Sequence, residues 1–227
     1  MTQRVYPQGM DALGGIAPPK PLLRGVSHEL AAGVALVGWI LLASRAPSTA
    51  AAAAAHVYGA SLFLLFAVSA AYHRPHWSPR ARAVMRRLDH SAIFVLIAGT
   101  YTPMCLLLGG TAGWALLAAV WTGATLGVLQ SIFWVRAPKA LVAGLAVALG
   151  WAVVPTLPSL RAALGGGALS LLLAGGIAYT AGAVVYARRW PDPFPRVFGY
   201  HEVFHALVIA AAVCHYAVVV GAVASIR

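Results

Sequence analysis

The chain is 227 residues long, 61% hydrophobic and only 9% charged, with a mean hydropathy of +0.81. A water-soluble domain of ordinary composition is excluded, and an integral membrane protein is expected. The net charge of +11 would suit a nucleic-acid binder, yet the basic residues cluster in connections between apolar runs, which points to membrane topology instead.

Residues 1–27, MTQRVYPQGMDALGGIAPPKPLLRGVS, are polar and rich in Pro and Gly, and they lack the basic start and small-residue cleavage site of a signal peptide. A flexible cytoplasmic tail is expected there, followed by a single membrane domain over residues 28–227. Seven apolar runs follow, at 30–43, 50–71, 91–108, 113–133, 140–157, 168–187 and 203–224. Each approaches the roughly 20 residues that a spanning helix needs. No alternating pattern supports a strand barrel, so the expected fold is all-α, a bundle of seven transmembrane helices. Ser48 or Thr49 can cap the second helix, and the prolines of APP, RPHWSPR and RRWPDPFPR stop helices and force extended turns. Pro103, in GTYTP, is expected to bend the third span. Gly and Ala in VAGLAVALGW and GGGALSLLLAGG let helices approach closely in lipid.

Charge orients the bundle. The tail carries three Lys or Arg, the second-to-third connection five (Arg74, Arg80, Arg82, Arg86 and Arg87), the fourth-to-fifth two and the sixth-to-seventh three, against Arg45, Arg161 and Arg227 on the other side. The positive-inside rule then places the amino terminus in the cytoplasm and the carboxyl terminus outside, in a multi-pass protein of the plasma membrane. Trp77, Trp134 and Trp190 lie near the interfaces and read as belt anchors. Cys105 and Cys214 fall within spans, as buried apolar thiols.

Polar residues converge at the basic end. GYHEVFH, residues 199–205, contains the letters of a zinc-protease helix, H-E-x-x-H. Only about 22 residues follow His205, too few for the usual downstream ligand, so the stretch reads as H-x-x-x-H with Glu202 incidental and facing lipid heads or a basic loop. His201 and His205 are one turn apart on one helix face, and Ser69 and His73 repeat that spacing at the end of the second span. A tetrahedral zinc would take His73, His201 and His205 and keep one position open for water. Asp89, at the start of the third span, can take a proton from that water, and Ser69 can hydrogen-bond the water or a substrate oxygen. His215 lies about 15 Å further along its helix, too deep for the same ion, and is expected to point inward and bond a carbonyl. His28, His56, His76 and His90 are expected at the interface, with His90 a candidate partner behind the site.

S-x-x-x-H (Ser69, His73), LDHSAIFVLIAGTYTP (residues 88–103) and H-x-x-x-H (His201, His205), in this order, resemble the hemolysin III family of bacterial membrane proteins. That family is similar to the adiponectin and progestin receptors, and both look like members of a wider group of seven-helix membrane hydrolases that includes alkaline ceramidases. The resemblance implies zinc on His73, His201 and His205, Asp89 and Ser69 around the bound water, and a cytoplasmic amino terminus. The family often carries an acid and a histidine in its first helix; Glu29 matches the acid, and the positions after it hold no histidine. The expected function is zinc-dependent hydrolysis of a lipid amide or ester, with membrane lipids as partners and no nucleic acid. The alternatives are a receptor or lipid-homeostasis regulator with structural zinc, and a cytolytic pore, for which no span carries a polar stripe.

Overall fold

The computed structural model of the chain describes residues 20–134 and 137–227. Residues 1–19 of the expected tail, and Val135 and Arg136 of the fourth-to-fifth connection, lie outside the described residues. Among the described residues the secondary structure is helical: α1 (Val26–Ser44), α2 (Thr49–His73), α3 (Pro79–Leu108), α4 (Gly110–Phe133), α5 (Lys139–Gly150), a 3-10 helix (Trp151–Thr156), α6 (Leu157–Arg188) and α7 (Tyr200–Ser225). Among the described residues six helical segments are long and apolar enough to cross a membrane, with Lys139–Arg188 taken as one segment of 50 residues.

That last segment is not one straight rod. The Trp151 indole N–H donates to Thr180 Oγ1 at 3.0 Å, whereas 29 residues of continuous helix would separate them by about 43 Å. The chain must therefore reverse between them. It does so at Gly165, whose φ of 84° and ψ of 171° break the helix in a backbone region that is essentially closed to residues with a Cβ. Two arms that the sequence separates into apolar runs thus lie side by side.

Two helix starts differ from the apolar runs. α3 begins at Pro79 rather than near residue 91, because Ser78 caps it by accepting from the Ala81 N–H and ARAVMRR is rich in good helix formers. Asp89 consequently sits three turns inside α3 rather than at its start. α1 begins at Val26 after Gly25, which holds φ +82°, so His28 belongs to its first turn. Pro103 lies inside α3, which continues through it to Leu108.

The two faces of the bundle are tied by different parts of the chain. Ser48, the cap of α2, donates to Ile226 O at 3.2 Å. At the other end of α2, Lys20 Nζ donates to Arg74 O at 2.9 Å. The described chain therefore begins at one end of α2 and finishes at the other. Leu22 and Leu23 donate their N–H groups to Arg196 O and Val197 O at 3.0 and 3.2 Å, which holds this part of the expected tail against the loop before α7. The larger buried cluster joins α1, α2, α3 and α7 through Ala32, Ala35, Tyr58, Leu62, Phe66, Leu96 and Val208, among others; small residues on α1 let it lie close to α2.

Candidate metal centre

The site is assembled by the end of α2 and the start of α7. Two carboxylates fix where α7 begins. Glu202 accepts from the Gly199 N–H at 2.9 Å and Asp192 accepts from the Tyr200 N–H at 2.7 Å, satisfying donors that a helix start leaves free and placing negative charge where the helix dipole favours it. His201 and His205 then occupy the first two turns. His73 is the last residue of α2 and faces them.

The three rings are buried, with His205 only 1% exposed. One nitrogen from each of His73, His201 and His205 lies within 4.8 Å of the other two. The Nε2 atoms of His73 and His201 are 3.1 Å apart, and the ring centroids of the three are separated by 4.5 to 5.2 Å. Two imidazoles sharing one tetrahedral ion with bonds of about 2.0–2.1 Å would hold their nitrogens about 3.3–3.4 Å apart, close to the spacing observed. His205 Nδ1 is buried without a hydrogen-bond partner. A set of three neutral nitrogen donors suits a transition metal better than calcium or magnesium. The residues present can hold a metal ion.

A family profile described as Haemolysin-III related matches residues 17–216. The chain belongs to this haemolysin-III-related family. Hemolysin-3 of Bacillus cereus is 36% identical over 196 residues, covering 84% of this chain and 86% of the relative. The Hemolysin-3 homolog of Bacillus subtilis (strain 168) is 35% identical over 158 residues, covering 69% and 70%. A more distant likeness, 35% identical over 161 residues and covering 63% of this chain and 69% of the relative, is to the heptahelical transmembrane protein ADIPOR2 of Oryza sativa subsp. japonica.

In this haemolysin-III-related chain the residues singled out around the triad take different positions. Ser69 is buried one turn before His73 on α2, and the Asp89 carboxylate lies near its hydroxyl. The ring of Tyr186 of α6 is 5.8 Å from that of His201, and the same tyrosine is near enough to Asp89 to feel its charge. His215 bonds Leu172 O at 3.1 Å, the inward, carbonyl-bonded role expected of it. Glu29 pairs with Arg74 at 2.8 Å on the exposed rim.

Two expectations are corrected. Glu202 does not face lipid heads and is not incidental: it takes the basic-loop alternative, 2% exposed and paired with Arg24 of the segment before α1, and it caps α7. A buried carboxylate persists only when it is paired and hydrogen-bonded, and Arg24 and Gly199 supply both. His28 is not interfacial. It is 3% exposed, its ring stacks on His205 with centroids 3.7 Å apart and planes 10° apart, and neither of its nitrogens has a partner. A signal for it was available, since His28, Ala32 and Ala35 are spaced four and three apart, on the face of α1 that is buried. The rim is cationic: partial desolvation, followed by Arg24, Arg82 and Arg74 nearby, lowers the ammonium pKa of the exposed Lys20 from the usual lysine value.

Proposed function

We propose that this chain is a seven-pass protein of the plasma membrane, its amino terminus cytoplasmic, in which His73, His201 and His205 hold zinc and the bundle hydrolyses an amide or ester bond of a membrane lipid. The observation that carries this reading is the convergence of three buried histidine nitrogens within 4.8 Å at the end of the bundle where Ser69 and Asp89 adjoin. The reversal at Gly165, the placing of Lys20 and Ile226 at opposite ends of α2 and the name of the heptahelical relative support seven crossings. The excess of Lys and Arg in the connections at the histidine end supports the orientation.

Zinc, when bound, supplies Lewis acidity to the carbonyl of the scissile bond. The chain supplies the proton path. Ser69 holds the Asp89 carboxylate in place, and Asp89 takes a proton from the attacking water and returns it to the leaving nitrogen or oxygen. The water oxygen forms the new bond to carbon, the C–N or C–O bond breaks, and the products are a carboxylic acid and an amine or alcohol. Burial of the triad keeps bulk water away from the reacting carbonyl.

The test is metal content by mass spectrometry on detergent-purified protein, followed by turnover of ceramide, acylated amine and phospholipid substrates. One zinc per chain is expected in the parent and little in His73→Ala or His205→Ala. Asp89→Asn should keep its metal and lose ~10²–10⁴-fold in rate. A metal-loaded parent inert toward every substrate would remove the hydrolase reading and leave the zinc as a staple between helices.

A further inference from the structure

The nine residues 20–28 touch His73 and His205 and pair with Glu202, the chain neighbour of His201. Gly25 packs against the stem of His73 so closely that a Cβ added there would stand 2.8 Å from His73 Cβ. Arg24 pairs with Glu202, which sits in the helical turn between His201 and His205. His28 stacks on the ring of His205. The same segment is anchored on both sides, through Lys20 to Arg74 O beside His73 and through Leu22 and Leu23 to Arg196 and Val197 before α7.

We infer that residues 20–28 form a clamp that sets the distance between His73 on α2 and the His201–His205 pair on α7, with Arg24 and Glu202 as its positioning residues. The inference rests on the reading of the triad as a metal centre and adds residues to it. The ligands come from two helices far apart in sequence, and a tetrahedral ion tolerates little error in their separation. A helix end in lipid has few polar partners to fix it, so a link from outside the two helices has a large influence on where each end rests. Arg24–Glu202 is the decisive link. Its carboxylate is the fully buried member, and a buried carboxylate that loses its cation is strongly disfavoured where it stands. The Glu29–Arg74 pair joins the same elements but is exposed on both sides and contributes little. Because Glu202 also caps Gly199, the position of Arg24 is passed directly to the turn that carries His201.

The experiment compares zinc affinity, by competition with a chromophoric chelator, in detergent-purified parent, Glu202→Gln, Arg24→Gln and Arg24→Lys, beside thermal unfolding of each metal-free protein. Gln at 202 can still accept from Gly199, so the fold is retained while the charge pairing is lost. Glu202→Gln and Arg24→Gln should bind zinc ~10–100-fold more weakly, the range seen when groups that orient ligands are removed. Arg24→Lys, which keeps the charge, should lie closer to the parent in both zinc affinity and metal-free unfolding, whereas in Arg24→Gln, where the buried carboxylate loses its cation and the metal-free protein is itself destabilised, zinc affinity should fall by more than the loss of metal-free stability accounts for. Should Glu202→Gln fail to fold, the two changes at the more exposed Arg24 carry the test. Parental zinc affinity in both Gln variants overturns the clamp and leaves the metal centre standing. Affinity that falls only in step with metal-free stability, with Arg24→Lys no better than Arg24→Gln, makes the pair structural and likewise overturns it. A parent that binds no zinc overturns the metal centre and the clamp together.

Discussion

Replacing Gly25 by Ala perturbs the site through two separable effects. The first is conformational: Gly25 holds φ +82°, and an L side chain in that left-handed region costs about 1–2 kcal/mol. The second is contact. The new Cβ would stand 2.8 Å from His73 Cβ, where ordinary contact begins at 3.4 Å, so the two must part by at least 0.6 Å. Neither atom is the end of a flexible chain, and the strain therefore moves the backbone that carries His73. Gly110→Ala separates the effects, because Gly110 also has a positive φ, +56°, but nothing lies within 4 Å of its added Cβ. Thermal unfolding in detergent should show both variants destabilised, by about 2–8 °C for the conformational effect alone. Zinc affinity should fall ~10-fold or more in Gly25→Ala and stay at the parental value in Gly110→Ala. Equal zinc affinity in the two variants would refute the reasoning, since it would mean that His73 accommodates the displacement without leaving its position.

Two further outcomes are expected. Single cysteines placed at Arg82 and at Gly166, in a chain with Cys105 and Cys214 replaced, should react with a membrane-impermeant maleimide from opposite faces, residue 166 in intact cells and residue 82 only after permeabilisation; labelling of both from one face would contradict the seven-pass topology. A Cβ at Gly127 would overlap the ring of Phe94, which is 1% exposed in the core between α3 and α4. Gly127→Val should therefore destabilise the protein by about 1–3 kcal/mol with metal affinity preserved, as measured by unfolding and chelator competition, and a loss of metal without loss of stability would show that this contact reaches the site.

Much of this protein is legible without tertiary information. Lipid admits few backbone solutions, so 61% hydrophobic composition and runs of about 20 apolar residues lead directly to a helical membrane bundle. Helical periodicity puts His201 and His205 on one face, and placing both the end of α2 and the start of α7 on the basic side brings His73 to the same depth. The structure then shows the three nitrogens within 4.8 Å. Rotation of a helix about its own axis is a different matter. In lipid, α1 is apolar all round, with Leu30 and Val34 exposed and Ala32 and Ala35 buried, and nothing in its hydrophobicity says which face meets α2. Packing of its small residues decided that, and in doing so turned His28 onto His205. Arg24 and Glu202 are separated by 178 residues, so no local pattern could pair them. An isolated acid beside two histidines looks incidental on a helix wheel, and only the chain crossing over the start of α7 supplies the cation that makes its burial possible. Composition and spacing thus determined the kind of protein and the three histidines that converge, whereas tertiary packing alone decided what surrounds them, because a contact between distant segments depends on helix rotation and register that an apolar sequence leaves open.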